Sequence, residues 1–179
     1  QWISPTWRMP TDTESPSGTG NNQSKVDNYS LEFNGTDEFV DLGNVLDNVF
    51  TSSSFTVSTW IYSTGNTSYD NFFNKGTTVQ FYLVSNKIQI YLAPSGIGVW
   101  PLESAATLSL NTWYNIVFTR SGNENKLYIN GTLDNSATST GSISSSTGSL
   151  TIGAYNGGSS YFWEGKLSEY SIFDSALTD

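Results

Sequence analysis

The chain contains no cysteine and no histidine. The first absence removes disulfides and thiolate chemistry, so cysteine usage says nothing here about a redox compartment. The second excludes every histidine-based catalytic arrangement and every histidine-containing metal site. Charge is also scarce: 13% of residues are charged, and seven Lys and Arg stand against sixteen Asp and Glu, for a formal net charge of −9. Such a surface repels phosphate backbones, so nucleic acid is not an expected partner. The few basic residues are scattered, which leaves no basic membrane patch. No apolar run approaches the roughly 20 residues that a bilayer-spanning helix needs, so membrane insertion is not expected. No signal peptide is visible, and Gln1 in place of a Met reads as a processed product or an excerpt of a longer chain.

What is present is 36% hydrophobic residues, 15% aromatics and an abundance of Ser, Thr, Asn and Gly. That mixture argues against a coiled coil, which needs charged helix formers in heptads, and against disorder, since the aromatics supply ample burial. A length of 179 residues suits one domain with a core large enough to need no staples.

Residues 1–28 differ from the rest. Trp2, Ile3, Trp7 and Met9 are interleaved with Pro5, Pro10 and Pro16, which prevents a helix and favours extended backbone. Two readings stand for this segment. It is either a leading strand and loop docked on its own domain, or an assembly arm anchored in a neighbouring subunit through Trp2, Ile3 and Trp7.

From Tyr29 onward, short strands with period-two alternation are separated by turn signals. Leu31 and Phe33 alternate with polar residues up to Asn34-Gly35. In Phe55 to Tyr62, Phe55, Val57 and Ile61 share one face, while Trp60 and Tyr62 take the other. Val79 to Leu83 and Ile88 to Leu92 form a pair across Ser85-Asn86, and Asn130-Gly131 closes another hairpin. Val45 to Phe50 allows one helical turn at most, and the Ser/Thr/Gly tract from Ser136 to Ser149 reads as a flexible loop or edge strand. The expected fold is an all-β sandwich or barrel over residues 29–179, preceded by the extended arm.

Four stretches resemble one family. Tyr29 to Gly43 resembles the opening strand pair of laminin-G-like and pentraxin-like domains, and Phe55 to Tyr62 is similar to their next core strand. Trp113 to Arg120 with Leu127 to Gly131 looks like their hairpin, and Gly165 to Thr178 like their closing strand. The resemblance implies a concanavalin-A-like jelly roll of two curved antiparallel sheets, whose members mostly recognise carbohydrate or protein, with relatives that hydrolyse glucans. It also implies display on a virion, an extracellular fibre or a cell surface.

Glucan hydrolysis in this architecture uses an E-x-D-x-x-E strand motif, which is absent; Glu164 and Glu169, five apart, would face opposite sides of a regular strand. G-x-S-x-G is absent too, and Gly165-Lys166 lacks the glycine pattern of a phosphate loop. The chain therefore reads as non-catalytic. Family members often hold a structural calcium with an Asp where Ser168 stands here, and a neutral hydroxyl is a poor ligand for that ion. No cofactor is expected, with Asp37, Glu38 and Asp41 as the residual calcium candidates in the opening turn. Trp100, Tyr155, Tyr161 and Trp163, with Phe162, lie in Gly/Pro-punctuated stretches and are candidates for a glycan-stacking platform; the alternative is that they plug the sandwich ends. N-x-S/T triplets begin at Asn22, Asn28, Asn34, Asn66 and Asn130, as expected by chance in so Asn- and Ser-rich a chain. Two functions follow: an interaction module assembling with other protein subunits as a homo-oligomer or larger array, or a glycan-binding module of a larger secreted protein.

Overall fold

The computed structural model describes residues 29–65, 69–93 and 99–177, with the side chains of 99–101 excepted. The arm candidates Trp2, Ile3 and Trp7 lie outside the described residues. The chain forms β1 (Leu31–Asn34), β2 (Val40–Asp41), one helical turn α1 (Asp47–Phe50), β3 (Ser54–Ser63), β4 (Asp70–Lys75), β5 (Val79–Val84), β6 (Lys87–Leu92), β7 (Val99–Glu103), β8 (Trp113–Ser121), β9 (Glu124–Ile129), β10 (Thr132–Thr138), β11 (Leu150–Ile152) and β12 (Glu164–Phe173). They build two antiparallel sheets of six strands, in the orders β1-β12-β3-β8-β9-β10 and β2-β11-β4-β5-β6-β7. This is the all-β architecture that the alternation predicts, in the two-sheet form that the resemblance implies.

The core is what period-two patterning places between the sheets. Phe55, Val57 and Ile61 of β3, with Ile116 and Phe118 of β8, face Phe73, Val79, Phe81, Leu83, Ile88 and Ile90 of the second sheet, all buried. Phe81 meets Phe118 across the gap at 5.3 Å between ring centroids, and Phe50 of α1 touches Phe55 at 5.3 Å and Phe73 at 5.8 Å. Each such side chain contributes about 1.5–3 kcal/mol by leaving water. The turns use the residues that tolerate positive φ: Ser85 and Asn86 at 50° and 62°, Asn130 and Gly131 at 52° and 76°.

Two cations also point inward. Lys75 Nζ donates to Asn44 Oδ1 at 2.6 Å and to the Gly148 carbonyl at 2.9 Å, and Arg120 donates to Asn125 Oδ1 at 2.9 Å, Ser139 Oγ at 2.8 Å and the Gly141 carbonyl at 2.7 Å. Neither is left without acceptors, as buried charge requires. Between them they tether residues 139–148, and Asp47 adds bonds from Ser145 Oγ at 2.7 Å and the Ser146 amide at 3.0 Å. Those two bonds, the Ser145 hydroxyl first, hold the Asp47 carboxyl below its ordinary value.

Three expectations change. The Ser136–Ser149 tract begins inside β10 and then crosses the sandwich, where Ile143 is buried in the core, so it is a plug rather than a loose loop. Leu31 shares the inward parity of Phe33 but sits at the sheet edge, 55% exposed. The β12 register shifts between Ser168 and Ser171, so the regular alternation invoked for Glu164 and Glu169 does not run through that strand.

Gly165 lies where β12 turns against β3, at φ 131°, and a Cβ there would approach the Tyr62 carbonyl oxygen to 2.1 Å. Gly122 also has positive φ (58°), but nothing lies within 4 Å of the position its Cβ would take. Gly165→Ala should therefore lower the unfolding free energy by about 3 kcal/mol, from clash and backbone strain together, against about 1 kcal/mol for Gly122→Ala. Denaturant titration of both variants measures the difference; equal losses would refute the clash.

Candidate functional site

Alternation that sends Phe81 and Ile90 inward sends their neighbours outward, and the register lines those neighbours up across the second sheet. One row runs Asp41, Thr151, Asn74, Gln80 and Tyr91; the next runs Asn71, Tyr82, Gln89 and Glu103. Among the described residues of these strands, the outer face thus carries amides, hydroxyls, phenols and Lys87, with its exposed acids on β2 and β7, the two edges of the sheet.

A short hairpin between Gly153 and Trp163 folds over part of this face. Tyr155 and Ser160 form a bridge, the Tyr155 amide donating to the Ser160 carbonyl at 2.9 Å, and positive φ at Asn156, Gly157, Gly158 and Tyr161 makes the reversal. The hairpin is clamped to the sheet by two side chains, the Asn156 backbone amide donating to Asn74 Oδ1 at 2.9 Å and the Gly157 backbone amide to Thr151 Oγ1 at 3.2 Å, and by one backbone bond, from the Asn71 amide to the Tyr161 carbonyl at 3.0 Å. Asn74 Nδ2 in turn donates to the Gly76 carbonyl at 2.8 Å.

The consequence is a cluster of tyrosine rings. Tyr161 lies 5.7 Å from Tyr155, 5.6 Å from Tyr69 and 6.1 Å from Tyr82, and Tyr69 lies 5.8 Å from Tyr82. Tyr161 and Tyr69 are 45% and 40% exposed, whereas Tyr82 is buried beneath them, its hydroxyl donating to Gln80 Oε1. Burial raises the Tyr82 phenol pKa, and the neighbouring phenols of Tyr155, Tyr161 and Tyr91 push it further the same way; burial and Tyr91 also raise that of Tyr155. Half-buried Tyr91 and Gln89 continue the surface toward β7. An exposed ring rim over an amide-bearing floor can stack a flat apolar face and hydrogen-bond its polar edge.

Of the four platform candidates, Tyr155 and Tyr161 belong to this cluster. Trp163 does not: it is fully buried, 5.6 Å from Phe72, because its amide bonds the Gly153 carbonyl at 2.9 Å and turns the indole under the hairpin. With no exposed face it plugs the sandwich end. Phe162 leans on Phe39 at 6.3 Å. Trp100 falls within β7, but its side chain lies outside the described residues. Sequence reasoning missed Tyr69, Tyr82, Tyr91, Gln80 and Gln89. The last four were signalled by the Ser85-Asn86 turn, which pairs Gln80 with Tyr91 and Tyr82 with Gln89.

The calcium candidates are not gathered. Asp37 Oδ1 accepts from Asn34 Nδ2 at 2.8 Å and Asp41 Oδ1 from the Gly43 amide at 2.8 Å, each closing its own turn. Among the described residues no three acidic side chains converge as a cation site. Ser168 Oγ donates to the Tyr29 carbonyl at 3.0 Å. An apolar groove of about 530 Å³ opens between the sheets, lined by Leu42, Val45, Leu46, Phe73, Tyr170 and Ile172. No helix among the described residues is long and apolar enough to cross a membrane.

Two six-stranded antiparallel sheets, bearing a polar and aromatic outer face, define a lectin-type β-sandwich. The profile of the concanavalin A-like lectin/glucanases superfamily matches residues 34–179, and the chain belongs to that superfamily. Among solved structures it is similar to domain 4 of AbnA, an extracellular GH43 arabinanase from Geobacillus stearothermophilus, in complex with arabinotriose: 20% identity, TM-score 0.67, covering 83% of this chain and 72% of that one. It is also similar to the CBM40 of a Ruminococcus gnavus IT-sialidase bound to α2,3-sialyllactose, at 13% identity and TM-score 0.67, covering 84% and 94%. A heptameric SAP-like pentraxin from Limulus polyphemus shares 20% identity at TM-score 0.60, covering 83% and 77%. No curated protein matches the sequence.

The raised phenol pKa values carry a sign. A buried tyrosine that stays protonated when the unfolded chain would ionise contributes stability fully present below the unfolded value of about 10 and lost above it. The melting temperature should therefore stay level from about pH 7 to 9 and fall above about pH 10. Tyr82→Phe should flatten that fall in a pH series of thermal melts, and an unchanged slope would show that Tyr82 is not responsible.

Proposed function

We propose that this domain is a non-catalytic glycan-binding module acting outside the cell, with its ligand on the outer face of the second sheet. The observation that carries the reading is the exposed pair of Tyr69 and Tyr161 rings, backed by half-buried Tyr155 and set beside the half-buried Gln89 and Tyr91 of β6. A sugar offers alternating apolar C–H faces and hydroxyl edges, which tyrosine rings and side-chain amides match. Tyrosines that already brace one another lose little freedom when a ligand arrives. The similarity to saccharide-bound domains supports this use of the fold, while the site itself is argued from this chain's own residues.

Binding rather than hydrolysis is supported by the placement of the exposed acids. Asp41 and Glu103 on this face are separated by β11, β4, β5 and β6. At about 4.8 Å per strand that is roughly 24 Å, far beyond the 5–9.5 Å that paired glycosidase carboxylates need. Tyr161→Ala should weaken saccharide binding at least about tenfold, the loss of about 1.4 kcal/mol of stacking, while moving the melting temperature little. Isothermal titration against the best ligand of a glycan array, with a thermal melt of the variant, checks it; wild-type silence on the array would reject the module reading.

The apolar groove favours a second reading, in which the domain also assembles. Leu42 and Val45 are exposed beside it, and the Tyr29 end of the described chain lies along β12 through the Ser168 bond. Residues 1–28 of a neighbouring copy, carrying Trp2, Ile3 and Trp7, match its chemistry. The double variant Trp2→Ala, Trp7→Ala should then be a folded monomer where the full chain is an oligomer by light scattering. An identical mass for both removes the arm from assembly.

A further inference from the structure

We infer that the saccharide held on the tyrosine-rimmed face is an uncharged one, excluding sialylated, uronic or sulfated chains. This inference rests on the glycan-binding reading and adds the ligand's chemical class. Of the seven basic residues, Arg8 and Lys25 lie in residues 1–28. Lys75 and Arg120 point into the sandwich and are buried there by their own acceptors. Lys126 pairs with Thr119 and Lys166 with Tyr62 in the register of the first sheet, which puts both on the opposite outer face of the molecule; Lys126 stands 3.6 Å from Glu124, and Lys166 lies over the Tyr62 ring at 5.9 Å.

Among the described residues that leaves Lys87 on the face in question. Its ammonium is 3.1 Å from Glu103, whose other oxygen accepts from Gln89 Nε2 at 2.8 Å. The Gln89 and Lys87 hydrogen bonds hold the Glu103 carboxyl below its ordinary value, so a carboxylate stands beside the Lys87 ammonium at neutral pH. A carboxylate or sulfate placed against Tyr161 would meet phenols, amides and two flanking acids, with no free guanidinium or ammonium among the described residues to accept its charge. Desolvating an anion without a counter-charge is costly, and the net charge of −9 adds repulsion on approach. A neutral sugar carries neither penalty. Its hydroxyls find the half-buried Gln89 amide and the Tyr91 and Tyr155 phenols, groups that both donate and accept.

The test uses the full chain in titration calorimetry against matched probes: lactose with α2,3-sialyllactose, and neutral arabino-, xylo-, cello- and galacto-oligosaccharides with oligogalacturonate. At least one neutral chain should bind, its charged counterpart should bind at least about tenfold more weakly, and affinity for the neutral chain should change less than twofold between about 0.05 and 0.5 M NaCl, since no ion pair is there to be screened. Tighter, salt-sensitive binding of the charged member of any pair overturns the inference while leaving the glycan reading intact. Silence toward every probe counts against the glycan reading itself, which separates the two failures.

Discussion

Everything on the outside of this molecule depends on one contact inside it, the meeting of phenylalanines from the two sheets. Phe81 of the second sheet and Phe118 of the first sit edge to face, and Phe50 wedges between Phe55 and Phe73 where the helical turn closes one end. Edge-to-face rings are particular about angle as well as distance, so the contact sets the separation of the sheets and the phase of each strand. With Phe81 and Ile90 inward, Gln80, Tyr82, Gln89 and Tyr91 have no choice but to face out. A slip of one residue between β5 and β6 would bury the amides and expose the core. The polar and aromatic outer face is thus a by-product of core phase.

This is also why so much of the architecture was legible. The period-two runs, the Asn34-Gly35, Ser85-Asn86 and Asn130-Gly131 turns, and the closing strand all stand where the chain pattern places them. Alternation and two-residue turns are local rules, and they hold wherever the ladder is regular. They fail where it is not. Leu31 has the right parity and the wrong position, at an edge with nothing beyond it. Ile143, in a tract whose composition reads as loose, is buried because Arg120 and Asp47 draw the flanking residues onto the sandwich.

The site shows the same division. Tyr155, Tyr161 and Trp163 looked equivalent from composition, yet the last is core and the first two are rim. No periodicity separates them, since four positive-φ residues intervene and the bonds that decide the matter, Asn156 to Asn74 and Gly157 to Thr151, join distant parts of the chain. Tyr69 was invisible for a related reason: its place in the cluster is set by rings from β5 and the hairpin rather than by its own neighbours. Charge followed simple chemistry but not simple proximity. The acids that clustered in sequence as Asp37, Glu38 and Asp41 disperse into separate turns, and two of the few cations are consumed as internal fasteners.

The hairpin from Gly153 to Trp163 is attached to the sheet through the side chains of Asn74 and Thr151 and stopped at its far end by a buried indole. Such a segment behaves as a cassette. The exposed side chains of its crest, such as Ser159, can change in residue type without disturbing the strands below, so long as the two clamps, the positive-φ Gly157 and Gly158 and the Trp163 stop remain. Evolution can therefore revise the side chains this scaffold presents by editing a handful of codons, while the cost of refolding a new core never arises.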